Sequence, residues 1–235
     1  MFKIKIAGIN VLVHNKYKFS EYLCRDYLTD ESHTDFSVCA DEKEILLEIQ
    51  ETNAPINAEY AESVCIHRAI AEHLAEYDAF LLHSAFIECE GVGVAFAAKS
   101  GVGKSTHISI WQRVFGDKVR VINGDKPIVR LINGEFYGYG TPWLGKENIG
   151  KNGCCKLKAL CFLNRGEKNA ISTVSAETAA MMLFSQIYLP SIGENAAKTL
   201  ELVDKFSSSV SFFKLYCNMQ DEAAKVSHNA IIKGE

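Results

Sequence analysis

The sequence predicts an α/β fold: a mixed sheet flanked by helices, with a small β-rich region at residues 1–57 and the main body at 58–235. Three observations predict it. Strand-like apolar runs alternate with helix-period segments along the chain. Asn133-Gly134 sits between two such runs, Ile128 to Ile132 and Glu135 to Tyr139, and is a strong short hairpin signal. The segment Ala98-x-x-x-x-Gly103-Lys104-Ser105 joins an almost wholly apolar strand, Val92 to Ala98, to an amphipathic helix.

The elements run in order along the chain. Met1 to Ile6 alternates like a strand, as do Ile9, Val11 and Val13, and Phe36 to Cys39 reads as another. Asn53-Ala54-Pro55 breaks the chain before an amphipathic helix carrying Tyr60, Val64, His67, Ala71 and Leu74 on one stripe. Phe80 to Cys89 reads as one strand, turning at Glu90-Gly91 into Val92 to Ala98, whose apolar character on both faces puts it centrally in the sheet. The helix through Ile108, Trp111, Val114 and Phe115 stops at Gly116, and Val119 to Ile122 is the next strand. Beyond the hairpin come a strand at Lys156–Leu163, helices near Glu177–Ile187 and Ala196–Phe206, a strand at Phe212–Cys217 and a helix near Asp221–Ile232.

Composition narrows the classes. With 235 residues, 48% hydrophobic and 23% charged, the chain buries a core without help from disulfides or metal, and it is neither collagenous nor disordered. No apolar run reaches the ~18 residues of a membrane span, and a net charge of −4 gives no general reason to bind nucleic acid. The first residues lack the apolar stretch of an export signal, so the expected compartment is the cytoplasm. The eight cysteines include no C-x-x-C pair, so they are expected as reduced thiols, with Cys154-Cys155 the one adjacent pair that could carry redox chemistry.

The segment from Ala98 to Thr106 has the pattern of a phosphate loop. Glycines allow main-chain amides from Ser100, Gly101, Val102 and Gly103 through Lys104, Ser105 and Thr106 to turn around phosphate oxygens. The lysine meets the β- and γ-phosphates, the Ser105 hydroxyl holds Mg²⁺, and the following helix directs its positive end at the same anion. Alanine replaces glycine at the first position. The expected ligand is a nucleoside triphosphate with Mg²⁺, and no base-reading motif in the sequence distinguishes ATP from GTP.

Topology then nominates its neighbours. If Val92–Ala98 and Val119–Ile122 form a βαβ unit, both strand ends lie on one sheet edge, and Asn123-Gly124-Asp125 emerges beside the loop. Asp125 is then the second metal-side carboxylate, unless it only caps its own turn. If Glu90-Gly91 closes a hairpin, facing residues sum to about 181–182, so His83 lies opposite Ala98 or Lys99. Packing and function stand level for His83. They do so too for the loop Gly140 to Asn148, in which Thr141, Trp143 and Lys146 either hold a substrate or make a structural turn.

These motifs resemble the HPr kinase/phosphorylase and phosphoenolpyruvate-carboxykinase group of phosphate-loop enzymes. The resemblance rests on Leu82-His83-Ser84, on the hairpin leading into Ser100-Gly101-Val102-Gly103-Lys104-Ser105, and on Ile122-Asn123-Gly124-Asp125-Lys126. It covers roughly Ala79 to the C-terminal end. Gly140-Thr141-Pro142-Trp143 resembles shorter HPr-kinase-like proteins found beside peptide-modification genes, some of which phosphorylate serine in a peptide or protein. The resemblance implies that Gly101 to Thr106 cradle the phosphates and Ser105 binds Mg²⁺. Asp125 would be catalytic base or metal ligand, and His83 would pair with the carboxylates or contact phosphate. It also implies a peptide or protein acceptor, for example a modified-peptide precursor, and symmetric homo-oligomers.

Three departures qualify it. The family's adjacent aspartates are Gly124-Asp125 here. The arginine- and glycine-rich segment expected after the strand near Phe162 has no counterpart, which argues against phosphorylase activity, and the N-terminal region is much shorter. The expected function is therefore a Mg²⁺–ATP kinase acting on a hydroxyl, with Lys146 or Lys151 shielding developing charge. A nucleotide-binding regulatory module without transfer chemistry and a small-molecule kinase on the same scaffold are the alternatives.

Overall fold

A computed structural model describes residues 1–52 and 55–234, so the break read at Asn53 and Ala54 lies outside the described residues. The chain opens with β1 (Phe2–Ile6) and β2 (Ile9–His14), joined through Ala7 and Gly8, both at the positive φ that a two-residue hairpin turn requires. Next come α1 (Lys18–Leu23), β3 (Phe36–Cys39) and α2 (Glu42–Glu51). β1 to β3 form a small sheet in that order, antiparallel then parallel. Ile4, Ile6, Ile9, Val11 and Val13 are buried against Ile66, Ile70 and Leu74 on the α3 side of the chain (α3, Ala58–His73, with Leu74 just beyond it). The buried carboxylate of Glu62, on α3, accepts the backbone N–H of Lys16 at 2.5 Å and the Ser20 hydroxyl at 2.7 Å, which closes the N-terminus of α1.

The main body comprises β4 (Ala79–Leu81), β5 (Ala85–Cys89), β6 (Val92–Ala97), α4 (Lys104–Phe115), β7 (Val119–Asn123), β8 (Ile128–Ile132) and β9 (Glu135–Tyr139). It ends with β10 (Cys154–Arg165), β11 (Ala170–Thr173), α5 (Ala176–Leu183), α6 (Gly193–Ser209), β12 (Ser211–Cys217) and α7 (Asp221–His228). The strands make a curled, nine-stranded mixed sheet ordered β4-β8-β9-β10-β6-β5-β7, with β12 on the far side of β10 and β11 beyond it. β10 joins the two halves. Its start pairs antiparallel with β9 at Cys154–Lys156, and after a register shift between Leu157 and Ala159 it runs parallel to β6 and β12. Both faces of β6 are buried: Val94 and Phe96 pack under α4 with Ile108 and Trp111, while Ala95 and Ala97 face the cluster of Leu183, Leu202 and Phe206 from α5 and α6. The described helices include none long and apolar enough to cross a membrane.

Three expectations need correction, and one holds with an addition. Phe80 to Cys89 is two strands rather than one, because the chain corners at Leu82-His83-Ser84, where Ser84 N–H bonds back to Leu82 O at 3.0 Å. The halves are apolar on both sides of the corner, so hydropathy ran them together. β6 and β7 run parallel, as the βαβ reading expects, and the addition is that β5 lies between them, antiparallel to both. The N-terminal region is not purely strands: α2 starts in a capping box of Asp41 and Glu44. The helix expected at Glu177–Ile187 ends at Leu183, and its last residues instead lie along β4.

The core under α4 holds an unusual histidine. His107 Nε2 accepts the Trp111 indole N–H at 3.0 Å, so the proton sits on Nδ1, which is buried without a partner. Burial pushes His107 down to about 4. Burial, with the Lys126 charge adding to it, pushes His67 on α3 down to about 3. Both stay neutral in the fold and take up a proton on unfolding below their ordinary range, so stability is fully present above about pH 6.5 and is lost as pH falls toward the folded values. Each group contributes a slope of about 1.4 kcal/mol per pH unit inside that window. His107→Gln should flatten the fall in urea-unfolding free energy between about pH 6 and 5. An unchanged slope would show that His107 is not held neutral.

Candidate active site

The site grows from three strand ends on one edge of the sheet. Past β6 the chain turns through Gly101 (φ +78°) and Gly103 (φ +121°), conformations that L side chains rarely adopt, and enters α4. Gly103 is the N-cap of α4, and no side chain caps that end, which leaves the first-turn amides and the positive end of the helix open to an anion. Arg165, at the end of β10, donates from Nη2 to Gly101 O at 2.5 Å and braces the loop from outside.

Facing the loop, three functional groups converge. Lys104 Nζ lies 2.8 Å from His83 Nε2, His83 Nε2 lies 3.3 Å from Asp125 Oδ1, and Lys104 Nζ lies 3.9 Å from the same oxygen. One ring nitrogen has one role at a time: Nε2 accepts from Lys104 or donates to Asp125. Burial acts to raise the Asp125 carboxyl, but His83 and the charges of Lys126 and Lys104 outweigh it and hold the group below the usual carboxylate range. Burial lowers Lys104, with Asp125 and Glu147 opposing it.

Asp125 does not cap its own turn. Asn123, fully buried, does that through Oδ1, which accepts the N–H groups of Asp125 at 2.8 Å and Lys126 at 2.6 Å. Its amide donates to Thr141 Oγ1 at 2.9 Å, and that hydroxyl donates to Lys126 O at 2.9 Å. Trp143 stacks on His67 with ring centroids 4.3 Å apart and donates to Ser63 O at 3.0 Å. So Thr141 and Trp143 are framework, and the Asp125 side chain is freed for the cleft. The loop also restricts the position before Asp125. A Cβ at Gly124 would lie 2.9 Å from Ile149 O and 3.1 Å from Leu144 O, leaving no room for a side chain.

These groups line a cleft of about 1210 Å³. Its wall holds five cations (Arg68, Lys99, Lys104, Lys126, Lys146) against two carboxylates (Asp125, Glu147), in a chain of net charge −4. That local reversal of sign suits a polyanion. Of the residues read from the sequence, His83, Ser100, Gly101, Gly103, Lys104, Ser105, Thr106, Asp125 and Lys146 all face the cleft. Val102 stands apart: its N–H closes a turn onto Lys99 O at 3.2 Å and its side chain packs on the core under α4. Lys151 is outside the wall, its N–H donating to Ile122 O. Sequence reasoning missed Arg165, Arg68 and the Ser185–Tyr188 wall, and it read the α3 stripe of Tyr60, Val64 and His67 as core alone.

Among the described residues no group of three or more His, Cys, Asp or Glu side chains is placed to hold a metal. The donors beside the loop, the Ser105 hydroxyl and the Asp125 carboxylate, are hard oxygens. They fit Mg²⁺ bound partly through substrate phosphates, an ion that does not need an all-protein cage. The cysteines are all free thiols, and burial pushes Cys155 up to about 11, which leaves it unreactive.

Gly145 fixes where the carboxylate stands. At φ +76° a Cβ there would fall 2.8 Å from Asp125 Cβ. Gly145→Ala should cost more than about 1 kcal/mol and displace the carboxylate, while Gly153→Ala, with open space around it, should be close to neutral. Urea unfolding of the two variants checks this, and equal stabilities would remove Gly145 from the design of the site.

No family model matches the chain, and no curated protein matches its sequence. Among solved structures, the Hpr(Ser) kinase/phosphatase from Coxiella burnetii is similar over 66% of this chain and 97% of that one, at 10% sequence identity and a TM-score of 0.37.

Proposed function

We propose that this chain is a Mg²⁺–ATP-dependent kinase that transfers the γ-phosphoryl group to a hydroxyl, in serine or threonine of a peptide or protein. The observation that carries the reading is the meeting of Lys104, His83 and Asp125 within 3.9 Å, at the mouth of a glycine loop that opens onto a helix N-terminus. A cation, an imidazole donor–acceptor and an ionised carboxylate at one anion site are the parts that phosphoryl transfer needs.

The chain's own groups divide the work. The loop amides and the α4 terminus bind the phosphates, and Lys104 moves from His83 to the γ-phosphate oxygens as nucleotide enters. His83 Nε2, relieved of Lys104, donates to Asp125 and fixes its orientation. Asp125, held ionised, accepts a hydrogen bond from the incoming hydroxyl and aligns it with the phosphorus. A carboxylate this acidic is a weak base early in the reaction, which suits a loose transition state in which the hydroxyl proton leaves late. Ser105 and Asp125 would hold Mg²⁺, which would supply charge neutralisation to the phosphates. A new O–P bond forms to the acceptor, the bond from phosphorus to the β–γ bridging oxygen breaks, ADP departs, and the hydroxyl proton passes through Asp125 to solvent. Lys146 shields the charge that develops at the rim.

Gly124 supports a second reading, a nucleotide-binding module without transfer, because a single carboxylate stands where the resembling family has two. One experiment separates them. Wild-type protein is incubated with γ-labelled ATP and serine peptides beside Asp125→Asn, and ADP binding is followed by calorimetry. The kinase reading expects ADP binding by both proteins within about threefold, and a loss of transfer of at least about 100-fold in the variant. Near-normal transfer by Asp125→Asn would remove that residue from the mechanism. Binding without transfer by wild type would establish the module.

A further inference from the structure

Asp125 carries two tasks in the proposed reaction, receiving the acceptor hydroxyl and holding Mg²⁺, and its two oxygens face different ways. Oδ1 lies toward His83 Nε2 and Lys104 Nζ, at 3.3 and 3.9 Å. Oδ2 lies on the side of the turn that begins at Gly145, 3.4 Å from where a Cβ on that glycine would stand. No donor among the described residues is bonded to Oδ2. Two residues along the same turn is Glu147, the other carboxylate of the cleft wall. Glu147 is exposed, and no described side chain pairs with it. Its charge acts on Lys104: burial lowers that ammonium, and Glu147 joins Asp125 in opposing the shift. The two carboxylates thus address one cation.

Charge and sterics together give Glu147 a task. A fixed anion in the wall of a polyanion site repels the phosphates it faces. That repulsion becomes attraction once a divalent cation stands between carboxylate and phosphate. Position 124 cannot supply a carboxylate for this purpose, because the carbonyls of Leu144 and Ile149 fill the space its side chain would need. The segment that closes position 124 is the one that carries Glu147. It passes Asp125 at Gly145, where φ is +76° and the missing side chain leaves the carboxylate its room. Asn148 N–H then closes the turn on Gly145 O at 3.3 Å, with Asn148 itself at φ +51°. Residues 144 to 149 therefore exclude one acidic side chain and present another.

We infer that Glu147 is a further oxygen ligand, beside Ser105 and Asp125, for the divalent cation that accompanies the nucleotide. The inference rests on the nucleotide site of the kinase reading and adds a residue to it. A hydroxyl and two carboxylates are hard oxygen donors, and they suit Mg²⁺ or Mn²⁺ that keeps waters and takes its remaining ligands from phosphate. With Glu147 sharing the metal, Asp125 keeps an oxygen for the acceptor hydroxyl. A carboxylate that served only to keep Lys104 protonated would act alike with and without metal, and that difference is measurable.

The test reads metal binding itself. Full-length wild type, Glu147→Gln, Glu147→Asp and a control, Glu201→Gln at an exposed position of α6, are titrated with Mn²⁺ in the presence of ADP. The paramagnetic resonance signal of free Mn²⁺ gives the affinity, and calorimetry gives ADP affinity with EDTA and with excess Mg²⁺. Expected is a loss of Mn²⁺ affinity of at least about tenfold in Glu147→Gln, partly restored in Glu147→Asp and absent in Glu201→Gln. In EDTA, Glu147→Gln should bind ADP as tightly as wild type or more tightly, since the charge removed there only repelled it. With Mg²⁺ it should bind ADP at least about threefold more weakly. Melting temperatures should agree within about 2 °C, as for other exposed substitutions. Mn²⁺ affinity of Glu147→Gln within about twofold of wild type overturns the assignment. ADP binding weakened equally with and without metal overturns it too and marks a structural role. So does a wild type that binds ADP yet holds no Mn²⁺ beyond what ADP alone holds. Wild type that binds no ADP in either condition overturns the nucleotide reading itself.

Discussion

The contact between Lys104 and Asp125 across the His83 imidazole is the interaction on which the site depends, and the sheet order exists in a form that permits it. Neighbouring strands are spaced by about 4.8 Å. Were β6 and β7 adjacent, the glycine loop after β6 and Asp125 would meet directly, with no room for a ring between them. The interposed β5 opens that spacing, and the chain entering β5 supplies the imidazole that fills it. A strand inserted antiparallel between two parallel ones thus places a titratable ring between a cation and an anion, in a cleft where water screens them only in part.

That geometry shows what was legible in the residues and what was not. The hairpin rule holds from Ala85, which faces Phe96, to Cys89, which faces Val92, sums of 181 in both pairs, but His83 lies before that ladder and reaches the loop from the corner at Leu82 to Ser84. Asn133 and Gly134 take the positive φ that their pairing implies, and Gly101 and Gly103 take positive φ between β6 and α4. Local rules reach no further. The corner at Leu82 to Ser84 is invisible in a run that is apolar on both sides of it. The bonds from Leu82 and His83 to Pro127 O and Gln186 O, which hold that corner, are partnerships between segments remote in sequence. Arg165 is in the same position, 64 residues from the carbonyl it braces. In α2 the signal was present, in the Asp41–Glu44 capping box, but Leu46 and Leu47 are exposed while Ile45 is buried, so the apolar stripe was too narrow to read as a helix face.

Behind the charged cluster, the turn is set by neutral groups. Asn123 and Thr141 are fully buried, and each uses its side chain to satisfy backbone at Asp125, Lys126 or Thr141 itself. A saturated network of this kind is rigid, because any displacement strands a polar group in a medium where it cannot recover water. The cost of that rigidity is chemical range. The carbonyls of Leu144 and Ile149 pack so closely over Gly124 that no second carboxylate can stand there beside Asp125.

α3 shows how one helix serves two demands. Ile66 and Ile70 fasten the N-terminal sheet to the body, Glu62 closes α1, and Glu72 pins the segment that walls the cleft. Between them, on the cleft side, His67 lies flat against Trp143, and that stack couples the helix to the loop carrying Lys146 and Glu147. Motion of α3 would therefore move the rim and the Asp125 turn together, since Trp143 also donates to Ser63 on the same helix. Stability of the N-terminal sheet and geometry of the cleft are in this way one property of the chain, carried by a helix whose periodicity, taken alone, reads as core.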